Sequence, residues 1–300
     1  MKIPEFLKKG DTVAIVCPAS YIKGNIDIAI QVLTSWGLKV QVGNTVTSQF
    51  HQFAGTDNER RADLQQALDN PKIKAIFAAR GGYGSVRIID LLDFKLFMKR
   101  PKWIIGFSDI TVIHSHLHNV VKVCTIHGQM PKSFEDSSKE ALNSLHSALF
   151  GEPINLAYSQ TDYPNRIGKA QGQLIGGNLA ILHSILSSPS DGSFKGKILF
   201  IEDVGESHYN IDRMLWTLKR ANKLSELAGL IVGSFSSLKD STPPFGQHFE
   251  EIIMDKIREY DFPVCFSFPA GHIDDNRAII LGRKVNLSVK NEETSLKYID

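Results

Sequence analysis

At 300 residues the chain is long for a single core and favours two domains, and its 42% hydrophobic and 22% charged fractions are those of a globular protein. With 34 basic and 32 acidic residues, the net charge of +2 is too balanced for a nucleic-acid-binding or membrane-associated surface. No apolar run reaches the roughly 20 residues of a membrane helix. Lys2, Lys8 and Lys9 precede the apolar stretch 12–17, but Gly10 and Asp11 before it and Pro18 after it frame a strand rather than a signal peptide, so secretion is not expected. Cys17, Cys124 and Cys265 each lie in apolar, β-prone runs; their odd number and wide spacing argue against disulfides or a zinc site and for buried free thiols.

In chain order, residues 12–17 read as a buried strand. Residues 25–36 read as a helix with apolar Ile26, Ile28, Ala29, Val32 and Leu33, ended by Gly37, and 38–42 as a short strand. Thr56-Asp57-Asn58-Glu59 has the form of a capping box and opens a helix carrying Leu64, Ala67 and Leu68. A strand at 74–79 leads into the glycine-rich loop 80–84, followed by a predicted helix over 85–92. Strand 103–105, helix 110–118, strand 121–126 and helix 137–149 continue the alternation. Short apolar runs alternating with helical patterns predict an α/β fold, with residues 1–150 forming a doubly wound N-terminal parallel-sheet domain. Residues 151–168 hold Pro153, Tyr158, Tyr163 and Pro164 without helical periodicity and read as a linker. Beyond it come strand 171–175, helix 178–186, strand 197–202, helix 211–221, strand 230–232 and helix 249–258. Strands at 264–268, 278–281 and 284–289 close the chain. Residues 169–300 are thus expected to form a smaller mixed α/β C-terminal domain.

The segment from Trp103 to Thr111 runs from an apolar strand into Ser108 and at once into an amphipathic helix. This is the context of a nucleophile elbow, which lifts a hydroxyl above the sheet edge. Gly106 sits two residues before the serine; the glycine expected two after it is replaced by Ile110. A serine that only caps the helix is the competing reading. The loop Arg80-Gly81-Gly82-Tyr83-Gly84 matches neither dinucleotide nor P-loop patterns, and its glycines would let a backbone amide approach a reacting carbonyl. Glu202 and His272 each follow an apolar strand, where α/β folds gather ligands. A serine hydroxyl needs an imidazole to accept its proton and a carboxylate to orient that imidazole, and the chain order of the three is free. Glu206, four residues after Glu202, is the rival carboxylate. His114 and His118, one helical turn apart, could share a metal, but no acidic residue completes the motif. With His116 they read as a partly exposed helix face, and no metal is expected.

Taken together, Arg80-Gly81-Gly82-Tyr83-Gly84, Gly106-Phe107-Ser108-Asp109, Ile175-Gly176-Gly177-Asn178-Leu179, Ile201-Glu202-Asp203 and Gly271-His272 resemble the LD-carboxypeptidase family of serine peptidases, in its order and across essentially the whole chain. The resemblance implies Ser108 as nucleophile, His272 as general base and Glu202 as its orienting carboxylate. It also implies an oxyanion hole from the backbone amides of Asp109 and Gly82. It further implies a cytoplasmic, cofactor-free homodimer that hydrolyses the bond between the L-centre of a diamino acid and the terminal D-alanine of murein tetrapeptides during cell-wall recycling. A muropeptide carries a free terminal carboxylate, for which Arg80 and Arg277 are the candidate partners. Two other readings stand beside this one: a self-immunity-type amidase acting on a peptide-nucleotide antibiotic, and a non-catalytic ligand-binding protein.

Overall fold

A computed structural model describes residues 1–154, 156–159 and 164–299. Its elements, in chain order, are β1 (Thr12–Val16), α1 (Asp27–Ser35), β2 (Lys39–Val42), α2 (Asp57–Asp69), β3 (Ile73–Ala78), α3 (Lys95–Lys99), β4 (Trp103–Gly106), α4 (Thr111–His116), β5 (Thr125–His127) and α5 (Lys139–Phe150). There follow β6 (Ala157–Ser159), β7 (Gly168–Asn178), α6 (Leu179–Ser184), β8 (Lys197–Val204), α7 (His208–Arg220), β9 (Gly229–Ser236) and α8 (Phe249–Lys256). The last strands are β10 (Val264–Cys265), β11 (Ile279–Leu281), β12 (Lys284–Val289) and β13 (Glu293–Tyr298).

The strands form two sheets, in a mixed α/β chain. The first has the order β11-β5-β4-β3-β1-β2, and its pairs from β2 to β5 are all parallel. These strands are buried, as a parallel sheet requires: Val13, Ile15, Phe77, Trp103 and Ile105 have no exposed surface. The second sheet has the order β10-β9-β8-β7-β12-β13-β6. Strands β7 to β10 pair in parallel, and β12, β13 and β6 extend the sheet in antiparallel fashion. Its core gathers Leu199, Ile201, Leu215, Val232, Ile252 and Phe266. Each such buried side chain contributes about 1.5–3 kcal/mol relative to exposure.

The chain divides into two compact units, Met1–Ile154 with Asp274–Ile280, and Asn155–Ile273 with Leu281–Asp300. The expectation of one continuous domain over 169–300 therefore needs correcting. Within the first unit, Asp274–Ile280 is held by Gln129 Nε2 and Ser138 N, which donate to Asp274 O at 3.1 and 3.0 Å, by His127 Nε2 against Asn276 Oδ1 at 3.1 Å, and by Ala278 N donating to Ser144 Oγ. Residues 151–168, read as linker, include β6 and the start of β7, while 155 and 160–163 lie outside the described residues. The helix expected over 85–92 is instead a pair of 3-10 turns, Ser85–Arg87 and Ile89–Leu91. The capping box at Thr56 forms as read: Thr56 Oγ1 accepts from Glu59 N, and Glu59 Oε2 accepts from Thr56 N. No helix among the described residues is long and apolar enough to cross a membrane.

Candidate active site

In the first unit, β4 delivers the chain to Ser108, which is half-buried and holds a left-handed backbone at φ 62°. A non-glycine residue there costs on the order of 1–3 kcal/mol and persists only where its surroundings over-determine it. A strained turn between a strand and a helix is also the backbone form that a nucleophile elbow takes. Gly106 is required because Ile110 folds back over it: a Cβ at 106 would sit 2.9 Å from Ile110 Cγ1. The helical run that follows is a 3-10 turn at Ser108–Ile110, then α4, then a π turn at Leu117–Val121. Asp109 is buried, and its Oδ2 accepts from Ser85 N at 2.8 Å, tying the elbow to the end of the glycine-rich loop.

In the second unit, β8 ends on Glu202-Asp203-Val204, with Glu202 opposite Asn178 in the β7–β8 register. Glu202 is fully buried, and its Oε2 lies 2.6 Å from His272 Nδ1, whose side chain is 19% exposed. An ionised carboxylate there holds the imidazole proton on Nδ1 and makes Nε2 the basic nitrogen. The loop bearing His272 is held along β9. Phe268 N donates to Val232 O, Ser234 N to Ala270 O at 2.9 Å, and Ser236 Oγ to His272 O at 3.2 Å. Gly271 (φ 122°) lets this loop close on the acid, because a Cβ at 271 would come within 2.9 Å of Glu202 Cβ.

Burial alone would lower the His272 pKa, but the hydrogen bond and charge of Glu202, with the charge of Asp203, outweigh it and hold the pKa above the ordinary imidazole value. Asp203 is itself pushed up to about 6, first by burial and then by the Glu202 charge, despite bonds from Val204 N, Asn178 Nδ2 and Ala180 N. The rival carboxylate is accounted for differently: Glu206 Oε2 accepts from Asn210 Nδ2 at 3.0 Å.

The remaining residues named from the sequence are placed as follows. Arg80 Nη1 donates to Tyr21 O at 2.7 Å. Arg277 is ion-paired with Asp275 at 2.9 Å, so its charge is locally matched. The histidines of α4 and the π turn do not form a partly exposed face, since His114, His116 and His118 are all buried. His114 Nε2 lies 2.9 Å from Gly106 O, and burial pulls its pKa down to about 4, so the imidazole is neutral. His118 Nε2 lies 2.9 Å from Thr125 Oγ1. Among the described residues, no group of three or more His, Cys, Asp or Glu side chains is placed to hold a metal ion. Two residues in these surroundings were missed in the sequence. His127, at the end of β5, pairs in register with Gly106, and Arg60 lies buried behind the glycine-rich loop.

A family model described as the LD-carboxypeptidase N-terminal domain matches residues 13–128, and one described as the LD-carboxypeptidase C-terminal domain matches residues 171–287. The chain is 36% identical over 293 residues to a probable murein peptide carboxypeptidase of Bacillus subtilis (strain 168), covering 95% of this chain and 91% of the relative. It is 31% identical over 288 residues to the murein tetrapeptide carboxypeptidase of Pseudomonas aeruginosa, covering 90% and 91% of the two chains. It is also similar to the crystal structure of muramoyltetrapeptide carboxypeptidase from Oxalobacter formigenes, with a TM-score of 0.87 at 29% identity over 96% of this chain and 99% of that one.

Proposed function

The chain belongs to the LD-carboxypeptidase family, and from that premise we propose that this peptidase of murein peptide processing is a serine carboxypeptidase. Its proposed reaction releases the terminal D-alanine of the murein tetrapeptide by hydrolysing the bond after the L-centre of the diamino acid. The observation that carries the reading is the buried Glu202 carboxylate 2.6 Å from His272 Nδ1, an orienting acid on an imidazole base.

In this reaction Ser108 Oγ attacks the carbonyl carbon of the diamino acid while His272 Nε2 takes its proton. Glu202 stabilises the imidazolium that results. The backbone amides of Asp109 and Gly82 receive the oxyanion of the tetrahedral intermediate. As that intermediate collapses, His272 returns the proton to the amine of the departing D-alanine, leaving an ester on Ser108. A water, deprotonated by His272, then attacks the ester, and His272 passes that proton to Ser108 Oγ as the tripeptide leaves. Arg80 is the preferred partner for the terminal carboxylate, because Arg277 is already matched by Asp275. The enzyme is proposed to act in the cytoplasm as a homodimer, without metal or cofactor.

The test offers the purified chain the tetrapeptide L-Ala-D-Glu-diamino acid-D-Ala and the pentapeptide ending in D-Ala-D-Ala, and follows D-alanine by chromatography. Release from the tetrapeptide alone is expected, because a fixed oxyanion hole admits attack on one face and the acyl centre is D in the pentapeptide. Comparable release from the pentapeptide would refute the assignment. Inertness towards both, with cleavage of a peptidyl-nucleotide amide, would favour the self-immunity type of reaction.

A further inference from the structure

The proposed reaction asks the glycine-rich loop to hold one backbone amide against a developing oxyanion. The loop lies beside the nucleophile within the first unit, since a Cβ at Gly81 would fall 2.9 Å from Ser108 Cβ. Three glycines in five residues give a segment with much conformational freedom to lose, so it keeps a donor in place only if neighbouring groups fix it. Ser20 fixes one side: its N donates to Gly81 O at 3.2 Å and its Oγ accepts from Tyr83 N at 3.1 Å. Asp109, next to the nucleophile, accepts from Ser85 N.

The third brace is Arg60, on the first turn of α2 and wholly buried. Its Nη1 donates to Gly84 O at 3.0 Å and to Pro18 O at 2.6 Å, its Nε to Gly55 O at 3.3 Å, and its Nη2 pairs with Asp57. A buried guanidinium is costly to desolvate, and α2 has no need of it as a cap, because Thr56 and Glu59 already form one. While Nε and Nη2 stay at the head of α2, Nη1 reaches the segments leaving β1 and β3, the second of which is the loop itself. Gly84 approaches so closely that a Cβ there would meet Arg60 Nη1 at 2.7 Å.

We infer that Arg60 is a positioning residue, which acts through Gly84 and, with Asp109, holds the Gly81–Gly82 segment in register with Ser108 for the oxyanion. This rests on the reaction proposed above. The test compares Arg60→Met and Arg60→Lys in the full chain by kcat and KM for D-alanine release, by the rate of Ser108 labelling with a fluorophosphonate, and by thermal midpoint. Lys102→Met is the control: Lys102 is another buried cation, donating to Ala67 O and Asn70 O at the far end of the same helix. Arg60→Met is expected to lower kcat and the labelling rate about 100-fold with KM changed less than about threefold, the pattern of a contact needed only in the transition state. Arg60→Lys should recover part of that loss, and it carries the test if the methionine variant does not fold. Lys102→Met should lower the midpoint and leave kcat within about twofold. A kcat loss at Arg60 no larger than at Lys102, or a rise in KM with kcat unchanged, would overturn the inference. Inertness of the unaltered protein to both tetrapeptide and fluorophosphonate would overturn the proposed reaction and this inference with it.

Discussion

Replacing Glu202 by glutamine removes one charge and keeps the shape of the side chain. Glu202 is fully buried and His272 is 19% exposed, so solvent screens their interaction little. With the charge centres about 4 Å apart and an effective dielectric constant of about 20, an imidazolium gains about 4 kcal/mol from the carboxylate. At about 1.4 kcal/mol per tenfold, Glu202→Gln should lower the plateau of kcat/KM about 1,000-fold. The pH profile should move as well. Glu202 supplies most of what holds the His272 pKa above the ordinary value, while burial works the other way. A general base acts in its neutral form, so activity in the unaltered protein rises with pH through that raised pKa. Without Glu202 the pKa falls, and the acid limb should shift to lower pH even as the plateau drops. Steady-state D-alanine release between pH 5 and 9, taken as an assay range of about four units around the imidazole pKa, reads both effects. A plateau within tenfold of the original, or an acid limb that stays in place, would refute the reasoning.

Glu206→Gln should leave kcat/KM within about threefold, because its carboxylate accepts from Asn210 and not from His272; a loss exceeding that of Glu202→Gln would transfer the orienting role to Glu206. Iodoacetamide under native conditions should label no cysteine at an appreciable rate and leave turnover intact. All three thiols are buried, and burial pushes the pKa of Cys17 and Cys265 up to about 12; rapid labelling with loss of activity would contradict this. Thr56→Ala, which breaks the capping box of α2, should cost about 1 kcal/mol in denaturant unfolding with kcat nearly unchanged.

Much of the candidate site could be read from residue order, because polar groups that end apolar strands stand out against their neighbours. Ser108 after β4, Glu202 near the end of β8 and the Gly271–His272 pair all carry that local mark. The choice between Glu202 and Glu206 carries none, since the two stand four residues apart about the end of the same apolar run; it depends on the fold of β8 and on Asn210 lying four residues beyond Glu206. Arg60 escaped notice because a charged residue on a helix of low apolar content reads as solvated. Its partners Pro18 and Gly84 are 42 and 24 residues away. Strand β13 escaped for a related reason: only Thr294 and Leu296 are buried in a polar run, and pairing with β12 supplies what composition does not. The return of Asp274–Ile280 to the first unit rests on bonds to residues more than 130 positions away, which no window of sequence displays.

The central claim is that Ser108 carries the acyl group. Turnover of the tetrapeptide stopped in acid, followed by digestion and mass spectrometry, addresses it most directly. The expected result is a tripeptidyl ester on the peptide containing Ser108, absent from Ser108→Ala, whose D-alanine release should fall by a factor on the order of 10⁶. D-alanine release by Ser108→Ala at the rate of the unaltered protein, with no acyl adduct on either, would contradict it.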